Sequence, residues 1–247
     1  MKDELGNRMK EQYENRTRVY LPRRTYTVVR VDGKAFHTYT KMADKPFDET
    51  LMMAMQATAI GMCERIQGAK FAYTQSDEIS VLLTDFEKPQ TDAWFDGNVQ
   101  KIASISASIA TMVFNQFMQK EVVKGFSSDA MFDARVFTIP DPVEVENYFI
   151  WRQQDSTRNS ISMAAQTVYS HKELHGKNTS DMQEMLFQKG INWNDYTPNE
   201  KRGTVIRRVS YTFEGTQRNR WEADSNTPIF TQDRGYMRGI IPIVETW

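Results

Sequence analysis

Short β-branched runs alternating with long segments of helical period predict an α+β fold for this 247-residue chain. Three observations carry that expectation. Residues 24–31, RTYTVVRV, are rich in β-branched side chains and stop at Asp32-Gly33. Residues 48–67 and 98–119 place apolar side chains at helical spacing, and residues 70–84 read as two strands joined by the polar turn Gln75-Ser76-Asp77-Glu78. With the alternating segment FDARVFTI at 132–139, the order is strand, helix, strand, strand, helix, strand: the split βαββαβ unit of ferredoxin-like folds, with an antiparallel sheet.

The elements follow in order. Residues 1–18 are polar and read as a helix or arm. The first long helix opens with Asp48 near its start, carries Leu51, Met55, Ala59, Met62 and Ile66 on one face, and closes at Gly68. Strands at 70–74 and 79–84 form a hairpin, a second long helix covers 98–119, and the strand at 132–139 stops at Pro140. After Pro142 the pattern turns helical through 143–155, again through 159–171 and again near 180–189. From 203 onward, 203–224 and 235–245 look like strands around Gly-containing turns, which predicts a late β-hairpin packed on the helices. The expected organisation is a catalytic core with its N-terminal arm at 1–140 and a helical and β-hairpin extension at 141–247, packed together as one compact unit.

Hydrophobic residues make up 40% and charged residues 26% of the chain, enough apolar side chains to bury a core. A net charge of −1 argues against a wholly basic nucleic-acid coat. Locally, though, residues 201–220 carry Lys201, Arg202, Arg207, Arg208, Arg218 and Arg220 against Glu214 alone, which suits either a phosphate backbone or a solvated strand face. Cys63 is the only cysteine, so an intrachain disulfide and a cysteine-based metal site are both excluded, as suits a reducing cytoplasm. The apolar runs are too short for a membrane span and the N-terminus lacks the apolar core of a signal peptide, so a cytoplasmic protein is expected.

Topology then predicts a site. In a βαββαβ sheet the third strand lies between the first two, antiparallel to the first, so Asp32 at the end of one strand should face Asp77 at the start of the other. Two carboxylates forced together near neutral pH are relieved by a raised pKa or by a cation between them. Mg²⁺ takes oxygen ligands, commonly one or two carboxylates plus substrate phosphates. Gly33 lets the backbone approach such an ion closely, and Lys34, His37 and Lys45 offer cationic donors around a triphosphate. Each feature alone has an ordinary reading: Asp-Gly and Ser-Asp-Glu are common turn signals, Phe36 reads as core, and Met52, Met53, Met55 and Met62 read as packing. The juxtaposition of the two carboxylates is what points to chemistry.

Five segments, VDGKAFHTYTK (31–41), AYTQSDEISVLL (72–83), FDARVFTIP (132–140), WRQQD (151–155) and EKRGTVI (200–206), resemble in order the signature segments of the tRNA-His guanylyltransferase superfamily and its Thg1-like 3′–5′ polymerases. The resemblance implies a palm-like catalytic core that adds nucleotides to the 5′ end of tRNA. It also implies two Mg²⁺ ions held by Asp32, Asp77 and the backbone of Gly33, with Asp32 and Asp77 as the catalytic pair. The nucleotide-binding set it implies is Asp32, Gly33, Lys34, Ala35, Phe36, His37, Lys45, Ser76 and Asp77, with Lys101 as a further basic position. Arg135 and Arg152 are expected in RNA or structural roles, and Asn159, Lys201, Arg202, Arg207 and Arg208 toward tRNA. Expected partners are tRNA, GTP and other NTPs, ATP for activation of the 5′ end, and further copies of the chain in a homotetramer; no membrane is expected.

Two departures bear on the substrate. Where eukaryotic guanylyltransferases carry His-Ile-Asn-Asn, this chain reads DSTRNS, with Thr157 in the histidine's place, and Met182 stands near an expected lysine. Both favour the Thg1-like branch, which repairs 5′-truncated tRNAs by templated addition, over dedicated addition of G at position −1 of tRNA-His. A palm-fold nucleotide cyclase is a rival, against which stands the turn Gln75-Ser76-Asp77-Glu78 in place of a Gly-Gly-Asp-Glu-Phe hairpin. A non-catalytic RNA-binding module is another, but such modules stack bases on strand aromatics, whereas ISVLLTDF (79–86) is aliphatic up to Phe86.

Overall fold

The computed structural model describes residues 3–120, 126 and 129–243. Six strands form one sheet in the order β4-β1-β3-β2-β5-β6, with every neighbouring pair antiparallel. They are β1 (Tyr26–Gly33), β2 (Ala69–Gln75), β3 (Glu78–Leu83), β4 (Phe132–Ile139), β5 (Thr204–Phe213) and β6 (Thr216–Asp224). The first four adopt the ferredoxin-like order, β3 lying between β1 and β2 as the sequence predicts. Asp32 belongs to β1 itself, where it pairs with Glu78 of β3 on one side and Asp133 of β4 on the other.

Side chains alternate across the sheet, so β1 sends Val29 and Val31 to one face and Val28, Arg30 and Asp32 to the other. The first face is covered by α3 (Glu49–Arg65) and α4 (Val99–Lys120), chain order having first passed the polar arm α1 (Glu4–Gln12) and the short α2 (Phe36–Tyr39). Asp48 caps α3 by accepting the Leu51 N–H at 2.9 Å, which satisfies a backbone donor that the helix start leaves open. In α4 the buried residues Ile102, Ser106, Ala110, Phe114 and Met118 recur every fourth position, which is the stripe a helix lays on a sheet. Cys63 is buried within α3, where burial raises its thiol pKa, so it serves packing and not nucleophilic chemistry.

The structure corrects two expectations. Residues 142–166 form one continuous helix, α5 (Pro142–Gln166), where the sequence suggested two. Its polar middle is knitted by Asp155, which accepts from Arg152 at 3.0 Å and from Arg158 at 2.6 Å along the same helix. The segment after 234 is a helix, α9 (Arg234–Ile240), and not a strand. Asp233 caps it by accepting the Tyr236 N–H at 3.0 Å, and Tyr236, Met237, Ile240 and Ile241 pack on the core at helical spacing. The late hairpin does form, turning through Glu214 and Gly215, both at positive φ as a tight two-residue turn requires. It packs on α3 through Ile206, Trp221 and Ala223, and it also extends the sheet, where β5 pairs with β2 from Phe71↔Arg207 to Thr74↔Thr204.

Three short helices follow α5: α6 (His171–Leu174), α7 (Thr179–Gln188) and α8 (Pro198–Arg202). Each starts with a reciprocal capping box, Ser170 with Glu173, Asn178 with Asp181 and Thr197 with Glu200. They enclose a small separate core of Ala164, Ala165, Leu174 and Leu186. Among the described residues no helix is long and apolar enough to cross a membrane.

Candidate active site

The strand register brings the two predicted aspartates to one edge of the sheet. The Gly33 N–H donates to the Asp77 carbonyl at 3.0 Å, which seats the β2–β3 turn directly against the end of β1. Asp32 Oδ2 faces Arg30 Nη2 at 3.4 Å and Arg135 Nη2 at 3.5 Å, two guanidiniums on a carboxylate that stays partly open to solvent. Burial is the main cause that holds the Asp77 carboxyl above its ordinary range, and the charge of Asp32 adds to it; the backbone N–H and the Ser76 hydroxyl, 3.2 Å from Oδ1, pull the other way. A pair of neighbouring carboxylates, one of them desolvated, is an arrangement that a divalent cation relieves.

Beside this pair lies an ion pair the sequence reading missed. Arg152 grips Glu78 with Nε and Nη2 both at 2.7 Å, and both residues are about 5% exposed. Burial raises the Glu78 pKa while the guanidinium opposes the rise. The bidentate geometry fixes the residue that directly follows Asp77 and sits opposite Asp32. Of the two roles expected for Arg152, the geometry is that of a structural one: its donors are spent on Glu78 and Asp155, and its guanidinium stacks on Trp151 at 4.3 Å. No surface is left for RNA there.

The loop after β1 is equally constrained. The Lys34 N–H donates to the Met131 carbonyl at 2.8 Å, Ala35 takes the left-handed conformation at φ +54°, and Phe36 turns inward against Phe114 and Phe132, with ring centroids 5.5 and 5.2 Å away. Phe36 is core, as its residue type suggests. A β-carbon at position 33 would lie 2.1 Å from the Phe36 ring, so the glycine is required for close packing. Gly33→Ala is therefore expected to lower stability by about 1–3 kcal/mol, the usual cost of overpacking, through displacement of that ring. A urea unfolding midpoint equal to that of the parent would contradict this.

A cavity of about 520 Å³ opens next to the turn, walled by the loop between α2 and α3, by α3, by the β2–β3 turn, by α5 and by α8. That volume suits a nucleotide-sized ligand. Of the residues expected at a nucleotide, Phe36, His37, Lys45, Ser76 and Asp77 line it, and so does Asn159; Asp32, Gly33, Lys34 and Ala35, at the end of β1 and just after it, are not part of the lining. Phe47 packs edge-on against Tyr196, with centroids 5.1 Å apart, and so ties the loop to the segment leading into α8. Gln56, Ser156, Ser160, Asn199 and Thr204 also line the cavity and were not foreseen, because elements distant in sequence bring them there.

The basic residues expected toward tRNA are scattered. Arg135 lies on β4 at the sheet edge beside Asp32. Lys201 Nζ donates to the Asn194 carbonyl at 2.6 Å over the Trp193 ring, and Arg202 Nε donates to the Thr227 carbonyl at 2.9 Å. Arg207 pairs with Asp224 at 3.3 Å on one face of the hairpin, which it shares with Arg218 and Arg220, whereas Arg208 is exposed on the other. Lys101 sits at the start of α4 over the Phe95 ring, near Leu21, at the end of the sheet opposite Asp32.

Residues 6–140, which contain β1 to β4 and both aspartates, match the sequence model of the Thg1 family, tRNAHis guanylyltransferase. The chain belongs to the tRNAHis guanylyltransferase family. Among its curated relatives is the tRNA(His) guanylyltransferase of Debaryomyces hansenii, 30% identical over 77% of this chain and 77% of that protein. The Kluyveromyces lactis enzyme is 31% identical over 74% of this chain and 82% of its own length. A bacterial tRNA(His) guanylyltransferase (Thg1)-like protein solved in complex with ATP is 44% identical, superimposes with a TM-score of 0.88, and covers 98% of this chain and 100% of its own. A structure of such a bacterial Thg1-like protein with GTP gives 44% and 0.85 over the same coverage. Membership in the tRNAHis guanylyltransferase family makes the chain a nucleotidyltransferase with an α+β, palm-like core.

Proposed function

We propose that this chain is a template-dependent 3′–5′ nucleotidyltransferase that adds nucleotides to the 5′ end of tRNA, truncated ends included, and works as a cytoplasmic homotetramer. The observation that carries the reading is the seating of the Asp77 turn against the end of β1 that bears Asp32, with Asp77 lining a nucleotide-sized cavity. The donor set fits Mg²⁺: two neighbouring carboxylates and the backbone oxygen of Gly33 are hard oxygen ligands, and the raised Asp77 pKa marks a charge that a cation would offset. When bound, two such ions would activate an oxygen nucleophile and neutralise the leaving pyrophosphate. The remaining work falls to the chain. Lys45 and His37 line the cavity, where they would meet a triphosphate, Ser76 orients the Asp77 carboxylate, and Arg30 and Arg135 flank Asp32, where they would meet phosphate charge.

Two features favour templated repair over addition of a single G to tRNA-His. Thr157 stands on α5 where a histidine is expected, and Met182 packs into the small core around α6 and α7 where a lysine would reach out. The 44%-identical relatives solved with ATP and with GTP support a site that takes either purine triphosphate. The test is an incubation of the protein with Mg²⁺, labelled NTPs and a tRNA lacking its first nucleotide, bearing either a 5′-monophosphate or a 5′-triphosphate. Extension at the 5′ end that obeys the opposing base is expected. No extension on either end, or incorporation indifferent to the template, would overturn the proposal.

A further inference from the structure

We propose that the α5 and α8 side of the cavity is a nucleobase subsite, and that Asn199 reads the base there without preferring one. This rests on the nucleotide reading of the cavity given above and deepens it. The lining divides by charge. The lysine in the lining, Lys45, comes from the loop after α2, along with Asp44 and Asp48 and with His37 of α2 beside them, whereas the side made by α5 and α8 presents Asn159, Ser160, Asn199 and the acid Glu200 but no lysine or arginine. Phosphates therefore belong with Lys45, next to Asp77, and a neutral base with the α5 and α8 side, which offers amide and hydroxyl groups.

Most polar groups on that side are already engaged. Thr204 Oγ1 accepts from Gln56 at 3.2 Å, Ser160 Oγ accepts from Trp193 Nε1 at 3.0 Å, and Glu200 Oε2 accepts from the Thr197 hydroxyl at 2.7 Å. Asn199 differs: its Oδ1 is buried and has no hydrogen-bond partner among the described residues. A buried acceptor without a donor is costly, and a ligand that brings an N–H removes the cost.

The amide also settles how selective the contact is. It carries an acceptor and a donor side by side, and a half-turn about its terminal bond exchanges them. It can therefore meet the N–H and acceptor edge of any base: N1–H with O6 of guanine, N6–H with N1 of adenine, N4–H with N3 of cytosine, N3–H with O4 of uracil. Those are the edges a template would use, so Asn199 serves the nucleotide bound in the absence of a template. A carboxylate at the same place accepts only. It would favour guanine, which offers N1–H and N2–H together, and would disfavour uracil, whose N–H is flanked by carbonyls.

The experiment is equilibrium binding, without tRNA, of ATP, GTP, CTP, UTP and inorganic tripolyphosphate to the parent protein and to Asn199→Ala, Asn199→Asp and Asn199→Gln, with melting temperatures recorded for each. The four NTPs are expected to bind the parent within about threefold of one another. Asn199→Ala should weaken all four about tenfold, the usual loss for an amide hydrogen-bond pair, and leave tripolyphosphate unchanged. Asn199→Asp should rank GTP first and UTP last, and Asn199→Gln should recover part of the loss. Unchanged NTP affinities in Asn199→Ala would overturn the proposal, as would equal weakening of tripolyphosphate or a loss confined to one base. If the parent binds neither tripolyphosphate nor any NTP, the nucleotide reading of the cavity fails as well; if it binds them and Asn199→Ala changes nothing, only the role of Asn199 fails.

Discussion

Replacing Asp77 with asparagine is expected to reduce nucleotide transfer by a factor of about a thousand or more while raising the melting temperature of the protein in Mg²⁺-free buffer. The two effects share one cause. Asp77 is a desolvated carboxylate beside the charge of Asp32, and both circumstances raise its pKa. A carboxyl whose folded-state pKa lies above its unfolded value contributes stability below the unfolded pKa and loses that contribution as pH rises through the folded one. At neutral pH the ionised group therefore works against folding, and the neutral amide relieves that strain. The same amide is a poor ligand for a divalent cation, whose charge stabilisation in phosphoryl transfer is worth several kcal/mol, or about a thousandfold in rate. Thermal melts with and without Mg²⁺, together with single-turnover 5′ extension, check both halves. A Mg²⁺-induced rise in melting temperature that is as large in Asp77→Asn as in the parent would remove Asp77 from the metal site, and retained transfer would remove it from the chemistry. Such opposition between stability and activity is usual where a site concentrates like charges.

Arg152→Ala is expected to cost about 3–5 kcal/mol of folding stability, because it leaves the Glu78 carboxylate buried without its bidentate partner and with only Arg30 Nε, 3.7 Å away, to offset its charge. For a chain of this size that is a fall of about 10 °C in melting temperature. Arg152 donates twice to Glu78 at 2.7 Å, so neither side chain can find solvent when the other is lost. Removing both charges is expected to cost less than removing one, and Glu78→Gln combined with Arg152→Met should recover part of the stability in a double-mutant cycle. Differential scanning calorimetry measures the loss. The dependence of tRNA affinity on salt separates this role from an RNA contact: a lost phosphate contact lowers the slope of log affinity against log salt by about one, whereas loss of a buried pair leaves it unchanged. A melting temperature within a degree or two of the parent, with a reduced salt slope, would return Arg152 to the RNA surface.

The local rules of chain geometry explain which parts of this molecule were legible in advance. β4 occupies 132–139, as its alternation and the following Pro140 indicate, and α3 and α4 follow their apolar periods to within about two residues. The approach of Asp32 to Asp77 was legible for a topological reason, since a βαββαβ chain leaves its third strand only one place to go. What was not legible depends on partners remote in sequence. The polar run from Gln153 to Ser160 looks like a helix break until Arg152, Asp155 and Arg158 are seen to pair along one helix. Ile240 and Ile241 look like a strand until the cap at Asp233 and the helical spacing of Tyr236, Met237, Ile240 and Ile241 are seen against the core. The docking of β5 on β2 and the meeting of Gln56, Ser160 and Asn199 around one cavity arise from contacts that no local pattern encodes.

The unbroken course of α5 has a mechanical consequence. Arg152, which holds Glu78 beside Asp32 and Asp77, and Asn159, which lines the cavity, stand about two turns apart on the same rod and so on the same side of it. A stiff strut of this kind keeps the Glu78 end and the cavity wall at a constant separation. The spacing between that wall and the pair of Asp32 and Asp77 is thus set by helical pitch together with the strand register.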